Sequence, residues 1–451
     1  METPRDPTRP TPRILVICSD RLGPRMAGGG IRAWELARAL AGVGDVQLAG
    51  IEGSSPPDGT TPVLEYTLNH PHPLRPAIAE ADVIVAQPPL PLLMGWLRAS
   101  DARLVFDLYT PEVMEALEAH RGQTPALRSL LTGLTVDRLV KAMHIGHHFL
   151  CASDKQRDLW TGVMIGERLL GPAVYDRDPS LDSVIATVPF GIEDAPPPTG
   201  LPGPRERFPQ IGLGDEIVLW NGGIWDWFDP LTAVRAIAAL HADRPSVRLV
   251  FMSGVATHPP AIRAIERTRA LAEELGVLDR VVLFNDDWVP YAERAGWLLQ
   301  ASCAVSTHVD QLETRYSFRT RLLDCFWAGL PIVCTEGDQL AGQVARDRLG
   351  AVVRPKDPAA LRDALATVLD AGRDAYGPAL AATADAYRWS NVTKPLVAFA
   401  SAADRPPRLG DSLGGRTSVR ASQHGRWNGY RAARATLNRI GLPDWPRIEP
   451  R

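Results

Sequence analysis

The chain has 451 residues, 45% of them apolar, and a formal net charge of -3. That length exceeds what one hydrophobic core covers and calls for two domains of ordinary size. The balanced charge excludes a general attraction to nucleic acid, and the absence of any run of roughly 18 apolar residues argues against a membrane-spanning helix. Alanine, arginine, glycine and proline are abundant and lysine is scarce, a bias typical of GC-rich bacterial genomes.

Residues 1–12 read as a disordered leader, polar and proline-rich, without the apolar region of a signal peptide. ILVIC (14–18) predicts a buried strand, and the triplet Gly28-Gly29-Gly30 leads into a helix beginning IRAWELARAL (31–40). Further strands are expected at 46–51, 82–87, 103–108, 149–152 and 184–188, with helical patterns between them, including a long one around 124–148. From Asp194 the chain turns rich in proline and glycine (DAPPPTGLPGPRERFP), the composition of a linker. The alternation then restarts. EIVLWN (216–221) predicts a strand, then a glycine turn and a helix from about 229, with strands near 247–252, 280–284, 303–306, 331–334 and 350–353. Two such βα arrays predict an α/β protein with two Rossmann-like domains facing across a cleft, one over 13–193 and one over 214–388, joined by a linker at 194–213. Residues 403–451 form a basic tail with ten arginines against four acidic residues, and with Trp427, Tyr430 and Trp445. That composition fits either a solvated tail or a segment docking on an anionic membrane surface.

Glycines that open a helix let a backbone approach a ligand, and helix N-termini favour anions. Gly29 and Gly30 are therefore candidates for ligand contact, although the triplet is not G-x-G-x-x-G and no acid closes a second strand for a nicotinamide cofactor. Glu313 to Asp338 (ETRYSFRTRLLDCFWAGLPIVCTEGD) reads as a loop, a helix starting near Ser317, a turn and a buried parallel strand. Asp176-Arg177-Asp178 is literally D-x-D, but its proline-flanked loop lacks the setting of a metal motif. His144, His147 and His148 lie close together on the predicted helix, with 144 and 148 on one face, and no carboxylate is placed to complete a metal site. The cysteines, Cys18, Cys151, Cys303, Cys325 and Cys334, are scattered, which predicts buried free thiols in a reducing compartment. The expected location is the cytoplasm, with the inner face of the cell membrane as the site for a docking tail.

LLDCFWAGLPIV (322–333) resembles the signature LLEAMACGLPVV of retaining glycosyltransferases of family 4, which have the GT-B fold, and other landmarks follow the family's order over roughly residues 13–400. Glu313 and Asp324 resemble the two acids of its E-x7-E motif, here separated by eleven positions and with Asp in second place. The resemblance implies that Asp324 contacts the nucleotide ribose and that Glu313 acts toward the sugar. It also places Gly222 and Gly223, Ser317 and Phe318, and the Trp288-Val289 pair around the donor. The loop after 216–221 usually supplies an Arg and a Lys to the donor diphosphate, and this chain has neither. Arg319 and Arg321, expected in the first turn of the signature helix, are the substitutes, because guanidinium suits phosphate. Where the family carries a His followed by Asp, VFDLYTPE (105–112) offers Asp107 and Tyr109 to orient an acceptor hydroxyl. WSNVTKPLVAFA (389–400) resembles the family's terminal crossover helix, expected over 389–402.

The implied function is hexosyl transfer from a nucleotide-sugar to an acceptor hydroxyl with retention, in polysaccharide or glycoconjugate biosynthesis. The partners would be the donor and a sugar or lipid-linked acceptor, without nucleic acid, and neither metal nor cofactor is needed. A GT-B sugar-nucleotide epimerase and a catalytically silent nucleotide-sugar-binding protein are the alternatives.

Overall fold

The computed structural model describes residues 11–225, 227–254 and 259–411. The basic-tail expectation falls mainly on residues beyond 411, and the leader mainly on residues before 11, outside the described residues. Two compact units are present. The first runs to Val188 and takes up the chain again from Thr393; the second spans Pro189–Val392. Residues 194–213 thus belong to the second unit, and the segment 389–402 is divided after Val392.

Among the described residues, seven strands build the first unit: β1 (Arg13–Ile17), β2 (Asp45–Ile51), β3 (Val63–Tyr66), β4 (Val83–Ala86), β5 (Arg103–Asp107), β6 (His148–Cys151) and β7 (Ile185–Thr187). They form one parallel sheet in the order β3-β2-β1-β4-β5-β6-β7. Strands β4, β5 and β6 are buried along their whole length, as the central strands of a parallel sheet covered on both faces should be. The second unit has β8 (Glu216–Trp220), β9 (Val247–Phe251), β10 (Val282–Phe284), β11 (Cys303–Ser306), β12 (Ile332–Thr335) and β13 (Gly350–Val353), all parallel in the order β10-β9-β8-β11-β12-β13. In both sheets the chain moves outward from the first strand, then returns to its other side. That reversal opens a crevice at the carboxyl ends of β1 and β4 in one unit and of β8 and β11 in the other.

The helix starts are set by local chemistry. Asp229, Asp338 and Asp357 each accept the backbone N–H three residues on, at 2.9–3.1 Å, and Pro230 and Pro358 occupy first-turn positions that need no donor.

The sequence expectations place all but one strand within two residues. The exception is β3, whose four residues follow a stretch of Gly, Pro, Ser and Thr that hid the pattern. Three other readings need correction. The long helix ends at Ile145, so His147 lies beyond it and His148 opens β6. The signature helix begins at Arg321, not near Ser317: a separate turn of helix covers Leu312–Tyr316, and Ser317–Thr320 link the two. Within the expected linker, Pro204–Arg207 forms a helical turn capped by Glu206, whose carboxylate accepts from the Gly203 N–H at 2.8 Å. All five cysteines are free and buried, as expected.

Candidate functional site

In the second unit, loops after β8 and β11 line the crevice where the strand order reverses. They are stitched to each other. Asp229 N–H donates to the Thr307 carbonyl at 2.9 Å, the Thr307 hydroxyl donates to the Asp229 carbonyl at 2.6 Å, and Phe228 forms an antiparallel bridge with His308. Gly222 has φ +119°, a conformation that L side chains rarely adopt, so this turn needs its glycine.

Arg321 opens the signature helix against this loop. Its Nη2 donates to the Gly223 carbonyl at 2.8 Å, and its guanidinium carbon lies 4.1 Å from the Phe228 ring centre and 5.5 Å from that of Trp220. Asn221 fixes the same residue from the backbone side, donating to the Arg321 carbonyl at 2.6 Å. Nη1 of Arg321 is buried and has no hydrogen-bond partner, and no carboxylate among the described residues pairs with this side chain. Burial, with Arg319 adding like-charge repulsion, pulls the Arg321 pKa down to about 9. A cation so placed gains from any anion that reaches it.

Arg319 is in the opposite situation. Its Nη2 donates to Glu313 Oε2 at 2.8 Å and its Nη1 to Oε1 at 3.2 Å, while Thr314 Oγ1 accepts at 3.3 Å. Ser317 Oγ also donates to Glu313 Oε1. Glu313 is 1% exposed and Arg319 6%. Two expectations are thereby corrected. Arg319 precedes the signature helix and is ion-paired with Glu313. Glu313 is enclosed by its own partners, so it does not stand open to a sugar. Glu313 lies in the short helix Leu312–Tyr316, which brings its carboxylate to Arg319.

Asp324 lies three residues into the helix and receives Arg294 Nε on Oδ1 at 3.0 Å. Phe318 is buried and faces Tyr387, with ring centres 6.2 Å apart. Trp288, 41% exposed, and Val289 follow β10, the edge strand two places from β8. The structure therefore gathers Gly222, Gly223, Glu313, Ser317, Arg319 and Arg321 at the crevice, and leaves Trp288 and Val289 at the sheet edge.

In the first unit, Gly28, Gly29 and Gly30 are the opening turn of the helix Gly28–Leu40. A Cβ on Gly29 would stand 2.1 Å from Asp20 Oδ2, so that carboxylate occupies the space beside the helix start. Asp107 is not available to an acceptor. Arg32 grips it with Nε on Oδ2 at 2.6 Å and Nη2 on Oδ1 at 2.8 Å, and Nη2 also donates to the Val188 carbonyl at 2.9 Å. Both are buried, at 1% and 6%. Tyr109 lies 4.8 Å from the Arg32 guanidinium, and burial raises its phenol pKa, which keeps the hydroxyl a donor.

Sequence reasoning missed Arg32 and Arg294. Their signal was an arginine amid apolar residues at a helix start (IRAWEL, ERAGWLL), which demands a buried acid somewhere in the fold. Asp178 accepts from Ser180 and Ser183 within its loop, His147 Nδ1 accepts the Leu104 N–H at 2.8 Å, and among the described residues no cluster of acids, histidines and cysteines fits a metal.

Residues 216–371 match the family model described as glycosyl transferases group 1. No curated protein matches the sequence. Among solved structures, the chain is similar to Anabaena HepE in complex with UDP-glucose, at 13% identity and a TM-score of 0.63, over 86% of this chain and 98% of that one. It is also similar to WaaG, a glycosyltransferase involved in lipopolysaccharide biosynthesis, at 17% identity and a TM-score of 0.58 with the same coverages. A UDP-forming α,α-trehalose-phosphate synthase from Burkholderia xenovorans is similar at 13% and 0.58, again over 86% and 98%. The fold is thus the two-domain α/β architecture of GT-B glycosyltransferases. Within it, the residues that match this family model, 216–371, lie in the second unit and include Arg321. Among the described residues no helix is long and apolar enough to cross a membrane.

Proposed function

We propose that the protein is a retaining glycosyltransferase of family 4 type, moving a sugar from a nucleotide donor to an acceptor hydroxyl in polysaccharide or glycoconjugate biosynthesis. The observation that carries this reading is Arg321, an uncompensated cation at the strand-order reversal of the second unit, beside the Gly222-Gly223 turn. That position is where open α/β sheets take phosphorylated ligands, and the family match covers it. Arg321, rather than Arg319, holds the donor diphosphate. As the bond from the anomeric carbon to the diphosphate oxygen breaks, charge grows on the leaving group and Arg321 stabilises it. The acceptor oxygen bonds the same carbon on the same face, and its proton passes to the departing diphosphate. No metal is required for this balance.

The first unit takes the acceptor, a sugar or lipid-linked sugar, with Tyr109 as the donor of a hydrogen bond to it. The expected location is the cytoplasm or the inner membrane face. A silent nucleotide-sugar-binding protein is the second reading, favoured by the engagement of both Asp107 and Glu313 in buried ion pairs.

The test is incubation with UDP-, GDP- and dTDP-sugars, with and without polyprenyl-linked acceptors, followed by nucleotide release. Acceptor-dependent release supports transfer. Release without acceptor dependence points to an epimerase, and binding without release to the silent protein.

A further inference from the structure

Arg294 is the first residue of the helix Arg294–Gln300 and is 4% exposed. Its guanidinium carbon lies 3.6 Å from the Tyr291 ring centre and 4.4 Å from that of Trp327, so aromatic rings bear on it from two residues. Nη1 donates to the Tyr291 carbonyl at 2.7 Å and to Glu193 Oε1 at 3.0 Å, and Nε donates to Asp324 Oδ1 at 3.0 Å. A guanidinium with this many fixed contacts cannot follow a moving carboxylate; it dictates where the carboxylate sits. Asp324 is also one methylene shorter than a glutamate and has correspondingly less reach. Its side chain is 29% exposed, and the hydrogen bond from Arg294 falls on Oδ1.

We propose that Arg294 is a positioning residue for nucleotide binding: it fixes Asp324 through Oδ1 and leaves Oδ2 to accept from a ribose hydroxyl. The inference rests on the nucleotide-sugar reading above and adds a residue that does not itself touch the ligand. Arg294 divides its charge between Asp324 and Glu193, so it orients the carboxylate without fully satisfying it. Burial, with Glu193 adding like-charge repulsion, raises the Asp324 pKa, and the charge and hydrogen bond of Arg294 oppose that rise.

The experiment is calorimetric binding of UDP, GDP and ADP, each compared with its 2′-deoxy and 3′-deoxy form, to the full chain. The wild type should prefer the ribonucleotide over one deoxy form by about tenfold, the range for a hydrogen bond to a charged group. Arg294→Met should abolish that preference while binding of the disfavoured deoxy form stays within about twofold, and Arg294→Lys should fall between. Asp324→Asn should lose the preference as Arg294→Met does. A merely structural arginine would instead weaken all the nucleotides in parallel, and that result overturns the proposal. If Arg294→Met does not fold, Arg294→Lys is read in the same way. Equal binding of ribose and deoxyribose forms by the wild type overturns this inference alone, whereas no binding of any diphosphate overturns it together with the nucleotide-sugar reading.

Discussion

Arg319 and Glu313 pair inside the second unit through two N–H···O contacts of 2.8 and 3.2 Å, and Arg321, with its buried Nη1 lacking any hydrogen-bond partner, is left without a carboxylate among the described residues. Removing one partner of a buried pair exposes the other to an uncompensated desolvation cost of about 3–5 kcal/mol. Arg319→Met should therefore lower the denaturation midpoint strongly. Arg321→Met removes a cation that has no acid to leave behind, so the midpoint should hold or rise. Its effect should appear in binding instead, as a loss of about 10- to 100-fold in affinity for a nucleoside diphosphate, the scale of one or two charge-assisted hydrogen bonds. The reverse pattern, with Arg319 governing affinity and Arg321 stability, would show that the diphosphate assignment is misplaced.

Arg32 and Asp107 make the same argument in the first unit, with exposures of 1% and 6%. Arg32→Met should cost about 3–5 kcal/mol by denaturant unfolding, because Asp107 is left buried and charged. Adding Asp107→Leu should recover most of that loss, since an apolar pair of similar volume replaces two desolvated ions. If the double variant is no more stable than the single one, the pair is not the source of the cost.

Much of the fold was legible because buried parallel strands are short apolar runs and their helices start at Asp-Pro or glycine. DVIVAQ and EIVLWN announce strands without help from distant residues. The site was less legible, because ion pairs are made by residues far apart in sequence. Nothing local to VFDLYTPE shows that Arg32, 75 positions away, will claim Asp107. Likewise Arg319 and Arg321 look equivalent in the text of the chain. Only the short helix Leu312–Tyr316 brings Glu313 onto one of them and not the other.

Three histidines make acid a specific hazard. Burial, with Arg408, Arg405 and Arg103 adding repulsion, lowers His147 to about 3; burial lowers His148 to about 4, opposed by its hydrogen bond with the Ser183 carbonyl; and burial with Arg319 and Arg321 nearby lowers His308 well below its ordinary 6.5. Below pH 6.5 the unfolded chain takes up protons at these sites and the folded chain does not. Stability present above pH 6.5 is thus lost as pH falls toward 4, by about 1.4 kcal/mol per pH unit for each histidine. His148→Phe keeps a ring to stack on Phe399, 4.6 Å away, and should flatten the slope of stability against pH in that window by one histidine's share. An unchanged slope would mean that His148 does not stay neutral in the fold.

Arg373 gathers backbone carbonyls from the C-terminal ends of two helices. Nη1 donates to Leu298, Leu299 and Ala301 at 2.9–3.1 Å, Nε donates to Gly329 at 3.1 Å, and Nη2 donates to Ala328. The last carbonyls of a helix lack partners within it and carry its partial negative charge, so one cation here serves Arg294–Gln300 and Arg321–Ala328 together. Both helices matter at their other ends, where Arg294, Arg321 and Asp324 lie. Arg373→Met should cost roughly 2–3 kcal/mol, the value of a charged hydrogen bond, and lower the melting temperature by roughly 5–10 °C for a unit of this size. Lysine has three donors on one nitrogen and cannot span carbonyls set around a planar fork, so Arg373→Lys should recover less than half of the loss. Full recovery by lysine would show that the charge alone, and not the fork, secures the two helix ends.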